Sequence, residues 1–297
     1  MRKKCLWSLV GLLTVALLAA CSSKEARTIR IASKPMAEQF ILAEMLGLLI
    51  ERHSNLKVDI KKGIGGGTAN IHPALLKGEF DLYPEYTGTS WLYVLKKEPL
   101  ADEAALFRQL GEAYRAQFGL EWVGLYGFNN TFGLAVRKEI AERHHLKTYS
   151  DLAPHSSKYR FGAEYDFYER SDGYEALTKT YGFQFAERRD LDIGLKYSAI
   201  NSGQIDAMNI FTTDGQLSAS ALVVLEDDKH FYPNYYAGTV VRHATLEKHP
   251  ELRAILLKME NLISNEEMAA MNHAVESEKR NEKDVAAEFL RRKGLMP

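Results

Sequence analysis

The segment Gly63–Thr89 constrains the fold more than any other part of the chain. It begins with a loop of four glycines in five residues, continues as a short amphipathic helix, and returns as a strand that ends in tyrosines and threonines. A glycine loop before a helix leaves backbone N–H groups free to bind anionic groups. The segment contains no good nucleophile and no metal-ligand cluster. Its N–H groups, hydroxyls and aromatic faces indicate a site that holds a small molecule without altering it.

Short apolar strands alternate with helical patterns along most of the chain. Strand patterns at Thr28–Ala32 and Leu56–Ile60 recur in a second cycle at Phe132–Val136 and Ile205–Phe211. Ser33 is a cap candidate for the helix that follows the first strand. Further helical patterns cover Lys138–His144, Tyr149–Leu152, Pro250–Leu262 and Glu282–Arg292. This alternation predicts an α/β protein with largely parallel sheets. About 276 residues follow Cys21. A single compact domain usually contains fewer residues than this, so we expect two lobes.

Residues 1–20 have the pattern of a secretory signal peptide. The basic start Arg2–Lys4 precedes the mostly apolar stretch Leu6–Leu18, which is too short to cross a ~30 Å membrane core. Leu18-Ala19-Ala20-Cys21 resembles the bacterial lipobox, which implies cleavage before Cys21 and lipidation of its thiol. Residues 21–27 would then be a lipidated tether. An ordinary signal peptide with an incidental cysteine is the alternative.

The charge of the mature chain argues against a nucleic-acid partner. Loss of the signal removes three of the 38 basic residues and leaves 35 against 39 acidic ones, a net charge of about −4. Nucleic-acid-binding domains favour a basic face. Cys5 leaves with the signal, and Cys21 on its own cannot form an internal disulfide.

Seven motifs follow one another in order between about Ile29 and Val241. They are Ser33-Lys34 after the first strand, Gly65-Gly66-Gly67-Thr68-Ala69-Asn70, Asp81–Thr89, Phe128–Phe132, Arg170-Ser171-Asp172-Gly173, Phe211–Gly215 and Asp227–Tyr235. Together they resemble the glycine betaine/carnitine/choline-binding proteins of osmoprotectant ABC importers.

The resemblance implies a two-lobed type II periplasmic binding protein fold with two hinge crossovers. Lobe one would hold residues 28–128 and 234–297, and lobe two residues 129–233. The implied protein is a lipid-anchored monomer outside the cytoplasm, on the periplasmic face or the outer surface of the cell membrane. Its partners would be a small quaternary amine and an ABC permease subunit, with no enzyme activity, cofactor or metal.

The chemistry of such a ligand accounts for the residue types. A quaternary ammonium has no N–H group, so aromatic faces bind it through cation–π attraction of ~0.5–2 kcal/mol per ring. A betaine carboxylate requires donors such as a guanidinium, an ammonium, a hydroxyl or a helix N-terminus. The resemblance implies a cage of Tyr86, Phe132, Phe211 and Tyr235 and a carboxylate side of Lys34, Thr89 and Arg170.

Two of these positions depart from the family pattern. Many relatives have tyrosine where this chain has Phe132 and Phe211. Phenylalanine keeps the aromatic face but lacks the hydroxyl, which favours a looser cage or a bulkier, less hydrophilic ligand. Other betaines, ergothioneine among them, are therefore an alternative to glycine betaine, choline and carnitine.

The residues also allow structural interpretations. Each tyrosine or phenylalanine of the cage could be a core residue, and Arg170 with Asp172 could be a surface ion pair of less than ~1 kcal/mol. A dinucleotide site at Gly63–Thr68 would need a third fingerprint glycine where Thr68 stands. An envelope hydrolase and a lipoprotein scaffold are the alternatives from other classes, although the sequence lacks G-x-S-x-G and H-E-x-x-H motifs.

Overall fold

The computed structural model describes residues 28–100, 102–217, 220–232 and 234–297. The predicted signal peptide, the tether and the lipidation site Cys21 lie outside these ranges. Within them, no helix has the length and apolar character that a membrane crossing requires.

One five-stranded sheet forms the centre of what we call lobe one. Its strands are β1 (Thr28–Ala32), β2 (Lys57–Lys61), β3 (Leu82–Tyr86), β4 (Leu120–Asn129) and β10 (Tyr236–Arg242). They lie in the order β2-β1-β3-β10-β4. β1 is parallel to β2 and β3, whereas β10 is antiparallel to both of its neighbours.

A second five-stranded sheet forms the centre of lobe two. Its strands are β5 (Phe132–Arg137), β6 (Arg160–Ala163), β7 (Glu187–Asp190), β8 (Ala207–Phe211) and β9 (Leu222–Leu225). They lie in the order β7-β6-β8-β5-β9. β6 is parallel to β7 and β8, and β5 is antiparallel to β8 and β9.

Helices cover both sheets. In chain order they are α1 (Ala37–His53), α2 (Thr68–Leu76), a π-helix (Thr89–Val94), α3 (Glu103–Phe118), α4 (Lys138–His144), α5 (Tyr149–Leu152), a 3₁₀-helix (Ala153–Lys158), α6 (Tyr165–Glu169), α7 (Tyr174–Tyr181), a 3₁₀-helix (Ile193–Leu195), α8 (Lys196–Asn201), α9 (His243–Lys248), α10 (Glu251–Leu256), a 3₁₀-helix (Leu257–Met259), α11 (Asn265–Glu276) and α12 (Glu282–Arg292). The α/β class and the two-lobed fold are therefore confirmed.

Helix α1 is the central helix of lobe one. It packs against α10, α11 and α12 as well as against the sheet, so residues on most of its circumference are buried. Full burial of a side chain such as Leu42 or Leu46 contributes ~1.5–3 kcal/mol. The loop from β1 to α1 brings Lys34, and the first turn of α1 brings Glu38, to the edge of the sheet that faces lobe two.

Three local predictions differ from the structure. Ser33 does not cap α1, because its backbone N–H bonds to Lys61 O at 3.0 Å and the chain turns into the helix only after Met36. The sheets are mixed, because each crossover strand runs antiparallel to its neighbours. Strand β7 was not predicted, since its sequence Glu-Arg-Arg-Asp has no apolar alternation.

The two crossovers between the lobes lie side by side. The Asn129 side chain donates to Asn234 Oδ1 at 2.6 Å and accepts from the Tyr235 N–H at 2.7 Å. The Asn130 N–H donates to Tyr235 O at 3.1 Å. Both chain segments that connect the lobes are therefore held together at one point.

Candidate functional site

Three strand ends of lobe one face the cleft between the lobes. β1 leads to Lys34, β2 to the glycine loop at 63–67, and β3 to Tyr86 and Thr89. The carboxyl ends of parallel strands meet at one edge of a sheet, which is where α/β proteins bind ligands. The N-terminus of α2, preceded by Gly65–Gly67, also opens at this edge.

Lobe two presents three strand ends that correspond in topology to those of lobe one. β6 leads to Glu164 and Asp166, β7 ends at Asp190, and β8 ends at Phe211. Arg170 follows α6 on the same side. The lobe-two wall is therefore rich in carboxylates, whereas the lobe-one wall offers an ammonium and backbone N–H groups.

A cavity of about 520 Å³ lies between the two walls. Six of the seven predicted binding residues line it: Lys34, Tyr86, Thr89, Phe132, Arg170 and Phe211. Tyr235, the seventh, is not part of the lining. Apart from Phe211, which is half-buried, these residues expose less than a tenth of their surface.

Phe132 is at the centre of the aromatic contacts beside the cavity. Its ring centroid lies 5.1 Å from that of Phe211 and 5.6 Å from that of Tyr235. Tyr86 belongs to the opposite wall, where the Lys34 ammonium lies 4.6 Å from its ring centroid. The four predicted cage residues are thus distributed over the cavity wall and the layer behind it.

Lys34 is paired with a buried carboxylate. Its ammonium donates to Glu85, which is fully buried and also accepts from Thr68 Oγ1 at 2.6 Å and Tyr83 Oη at 3.0 Å. Burial lowers the pKa of Lys34, although the Glu85 charge opposes this shift. Glu85 therefore positions the Lys34 ammonium at the cavity wall.

Arg170 is also paired, and the interpretation of a surface ion pair is wrong. Its Nε and Nη2 donate to Asp172 at 2.8 and 2.5 Å, and both residues are less than a tenth exposed. The guanidinium carbon lies 5.2 Å from the Phe132 centroid and 5.6 Å from that of Tyr93 in lobe one. Burial by itself would lower the pKa of Arg170, but Asp172 and other partners outweigh this effect and raise it.

Tyr235 supports the Arg170 pair from behind. Its hydroxyl donates to Asp172, and its ring lies directly over Gly88. A Cβ atom at position 88 would lie 2.5 Å from this ring, so only glycine allows the approach. Burial and the Asp172 charge raise the pKa of Tyr235 well above its usual value, so the hydroxyl stays neutral and donates.

Sequence reasoning missed a second buried cation, Lys196. Its ammonium lies 5.0 Å from the Phe211 ring centroid, forms an ion pair with Glu164 Oε2 at 2.8 Å and donates a hydrogen bond to Asn209 Oδ1 at 3.1 Å. Lys196 begins an ordinary helical pattern, so no feature of the sequence marks it as a site residue. Each cavity ring therefore already has a protein cation near one face.

Glu38 was also missed, and it connects more parts of the site than any predicted residue. In the sequence it is an acidic residue near a helix start, where glutamate is common. In the structure the residue is 3% exposed, and its carboxylate accepts hydrogen bonds from Tyr86, Asn130, Thr213 and Asn272.

The chemistry of the cavity is that of binding. It offers opposed charges, aromatic faces and backbone N–H groups on two walls. Among the described residues, no group of three or more histidine, cysteine, aspartate or glutamate side chains is arranged to hold a metal ion.

Two relatives in sequence span nearly all of this chain. It is 47% identical to the ergothioneine transport permease/ergothioneine binding protein EgtU of Helicobacter pylori (strain G27), over 91% of this chain and 48% of that protein. The chain thus spans about half the length of this relative. It is 33% identical to the carnitine transport binding protein OpuCC of Listeria monocytogenes, over 98% of this chain and 97% of that protein.

A solved structure agrees with these relationships. The crystal structure of a glycine betaine/carnitine/choline ABC transporter protein matches with a TM-score of 0.73 and 34% identity, over 90% of this chain and 99% of that one. The family model described as the substrate binding domain of the ABC-type glycine betaine transport system matches residues 27–292. The resemblance noted in the sequence is confirmed: the chain belongs to the family of substrate-binding domains of ABC-type glycine betaine transport systems.

Proposed function

We propose that the protein captures a small solute with a quaternary ammonium group in the cavity between its lobes and delivers it to an ABC permease. The observation that carries this proposal is the set of rings of Tyr86, Phe132 and Phe211 in one cavity of about 520 Å³ that also contains Lys34. Aromatic faces suit a cation without N–H groups, and the ammonium suits a carboxylate.

The two walls favour one orientation of a betaine. Its carboxylate points to lobe one, where Lys34 and the N–H groups before α2 supply donors. Its cationic end points to Phe132, Phe211 and the carboxylates of lobe two. Thr89 contributes to the lobe-one wall. Arg170 acts mainly through Asp172 and Tyr235, which join the lobes beside the ligand.

Ergothioneine is the second candidate ligand, and the acidic wall favours it. Its ring carries N–H groups that can donate hydrogen bonds to a carboxylate such as Glu164, Asp166 or Asp190. Glycine betaine and choline carry no N–H group. The relative with 47% identity is named for ergothioneine, which also favours this candidate.

A titration panel distinguishes these ligands. Glycine betaine, proline betaine, carnitine, choline and ergothioneine are each tested by thermal shift and then by calorimetry on the wild-type protein. We expect at least one of them to raise the melting temperature and bind with a stoichiometry of one. A scaffold or a hydrolase would show no response to any of them.

Ligand binding would close the lobes. We propose residues 28–128 and 234–297 as one moving unit and residues 129–233 as the other, with the hinge near Phe128–Asn130 and Phe231–Asn234. A ligand held by both walls favours the closed state through its added contacts there. Small-angle scattering with and without ligand should show a smaller radius of gyration in the complex. An unchanged scattering curve would contradict closure.

We also propose that Cys21 carries a lipid and holds the monomer at the outside of the cell membrane. Mass spectrometry of the protein from membranes should show a lipidated Cys21 as the first residue. Cys21→Ser should release the protein, whereas Cys5→Ser in the signal should not. Retention of the Cys21→Ser protein in membranes would contradict the anchor.

A further inference from the structure

Glu38 is a buried carboxylate that is satisfied entirely by neutral donors. Oε1 accepts from Tyr86 Oη at 2.6 Å and Asn130 Nδ2 at 2.7 Å. Oε2 accepts from Thr213 Oγ1 at 2.6 Å and Asn272 Nδ2 at 3.1 Å. Among the described residues, no lysine, arginine or histidine forms an ion pair with it. A buried carboxylate without a cation depends on its hydrogen bonds, so each donor matters.

The four donors come from parts of the molecule that move relative to one another in a clamp. Tyr86 lines the cavity in lobe one, and Asn272 lies on α11 of the same lobe. Asn130 belongs to the outgoing crossover, and Thr213 belongs to lobe two. One side chain therefore joins a cavity ring, the hinge and the opposite lobe.

The lobe-two loop that carries Thr213 is seated against α11. Asn272 Nδ2 donates to Thr213 O at 2.8 Å, and His273 Nδ1 donates to Gly215 O at 2.9 Å. A Cβ atom on Gly215 would lie 2.3 Å from the His273 backbone nitrogen, so glycine is required for this contact. The loop begins directly after Phe211, which lines the cavity.

We propose that Glu38 is a positioning residue that couples closure of the lobes to the orientation of the Tyr86 ring. The closed arrangement gives its carboxylate the Thr213 donor, while the same carboxylate holds the Tyr86 hydroxyl. When the lobes open, Thr213 Oγ1 moves away from Glu38 Oε2 and this hydrogen bond is lost. The inference rests on the proposed function, because it assumes that the cavity binds ligand in the closed state.

The affinity of a two-lobed protein for its ligand depends on the fraction of ligand-free molecules that are closed. Apparent affinity falls in proportion to the population of the binding-competent state. Loss of the Thr213 bond should therefore weaken every ligand of the cavity by a similar factor. A residue that only contacts one ligand group would change the preference between ligands instead.

Three variants test the proposal. Thr213→Val removes the bond between the lobes with little change in size, Glu38→Gln removes the charge, and the third variant combines both. Glu51→Gln on the exposed face of α1 and Thr180→Val on the surface of lobe two are the matched controls. Glycine betaine and ergothioneine are the probes, and dissociation rates, dissociation constants and ligand-free scattering are measured.

We expect Thr213→Val and Glu38→Gln each to raise the dissociation rate of a bound probe about tenfold, the scale of a lost charged hydrogen bond. Both probes should lose affinity by similar factors. The double variant should be little worse than the stronger single variant, because the two residues share one bond. Both single variants should also have a larger radius of gyration without ligand, whereas both controls should match the wild type.

Any of three results would overturn the proposal. The first is a wild-type dissociation rate in Thr213→Val, and the second is full additivity of the effects of the two substitutions. The third is a lower melting temperature with unchanged scattering and unchanged dissociation, which would make Glu38 a structural residue only. If the wild type binds neither probe, and none of carnitine, choline and proline betaine, the proposed function fails, while ligand-free scattering of the variants still tests the contact between the lobes.

Discussion

The two lobes share one strand arrangement but present opposite chemistry to the cavity. In each, three parallel strands are followed by an antiparallel crossover strand. The strand ends of lobe one present Lys34 and a glycine loop, whereas those of lobe two present Glu164, Asp166 and Asp190. A common scaffold thus positions Lys34 and backbone N–H groups on one side of the cavity and carboxylates on the other.

Each lobe also keeps a buried ion pair at the cavity. Lys34 pairs with Glu85 in lobe one, and Arg170 pairs with Asp172 in lobe two. The first pair stays within its lobe. The second reaches across, because Asp172 accepts from Tyr235 and Arg170 lies over Tyr93. From this comparison we propose that Lys34 binds the ligand, whereas Arg170 stabilises the closed arrangement of the lobes.

The largest effect should come from Arg170→Ala. This substitution leaves Asp172 buried without its cation, which costs ~3–5 kcal/mol. The free energy of unfolding should fall, and glycine betaine and choline should both lose affinity. Denaturation and calorimetry measure these effects. Arg188→Ala, which breaks an exposed pair with Glu175, is the control and should change little. A loss confined to carboxylated ligands would instead place the guanidinium on the ligand.

Lys34→Met should have the next largest effect on binding. Glycine betaine should lose ~1.5–3 kcal/mol relative to choline, because choline has no carboxylate to meet the ammonium. Calorimetry with both ligands gives the ratio, which cancels any general effect on stability. Lys57→Met, an exposed change on β2, is the control. Equal losses for both ligands would remove the difference between Lys34 and Arg170.

The contact between the lobes should respond to pH through Asp214 and Glu276. Burial raises the pKa of Asp214 to about 6, against the opposing charge of Lys196. Burial, Asp214 and Glu38 raise the pKa of Glu276 to about 7. Asp214 also accepts from Tyr197 at 2.8 Å. These two carboxylates face each other from α11 and the loop after β8.

The sign of the pH effect follows from the raised pKa values. The folded protein takes up protons at pH values where the unfolded chain is still ionised, so folding is stabilised as the pH falls from about 8 to about 5. We expect a gain of ~1–2 kcal/mol over this range. Denaturation at several pH values should show it in the wild type but much less in Glu276→Gln. An equal gain in Glu276→Gln would contradict this assignment.

The smallest effect should come from the exposed carboxylates at the mouth of the cavity. Asp190→Asn combined with Asp192→Asn should weaken a cationic ligand by ~0.2–1 kcal/mol, and the loss should shrink at high salt. Calorimetry at two salt concentrations measures it. Asp59→Asn on the outer strand of lobe one is the control. A loss that does not depend on salt would indicate a direct contact instead.

Periodicity and order of motifs allowed much of the fold to be predicted. β1, α4, α5 and α12 have the predicted bounds, because their apolar spacing and helix ends are local signals. The charged strand β7 lacks such a signal, since its place in the sheet depends on β6 beside it. The predicted helix at Pro250–Leu262 is α10 and a 3₁₀-helix, after which the chain turns.

Site residues that belong to a sequence motif could be predicted. Site residues that are defined by tertiary contacts could not. Lys34 and Phe211 stand in recognisable motifs, and the structure places both at the cavity. Glu85 and Asp172 stand in two other motifs of the series, but only the fold shows that they pair with Lys34 and Arg170. No sequence pattern marks Glu38 as a site residue, because its hydrogen-bond donors lie up to 234 residues away in the sequence.

Calorimetric titration of the wild type and of Phe211→Ala tests most directly whether the cavity between the two unlike walls binds a trimethylammonium solute. The wild type should bind glycine betaine, carnitine, choline or ergothioneine with a stoichiometry of one. Phe211→Ala should weaken that ligand by at least ~1 kcal/mol, since a ring beside the cation is lost. Phe107→Ala, which removes a ring packed on Trp122 away from the cavity, should bind as the wild type does. Absence of binding for all four ligands, or equal affinity in Phe211→Ala, would contradict the proposal.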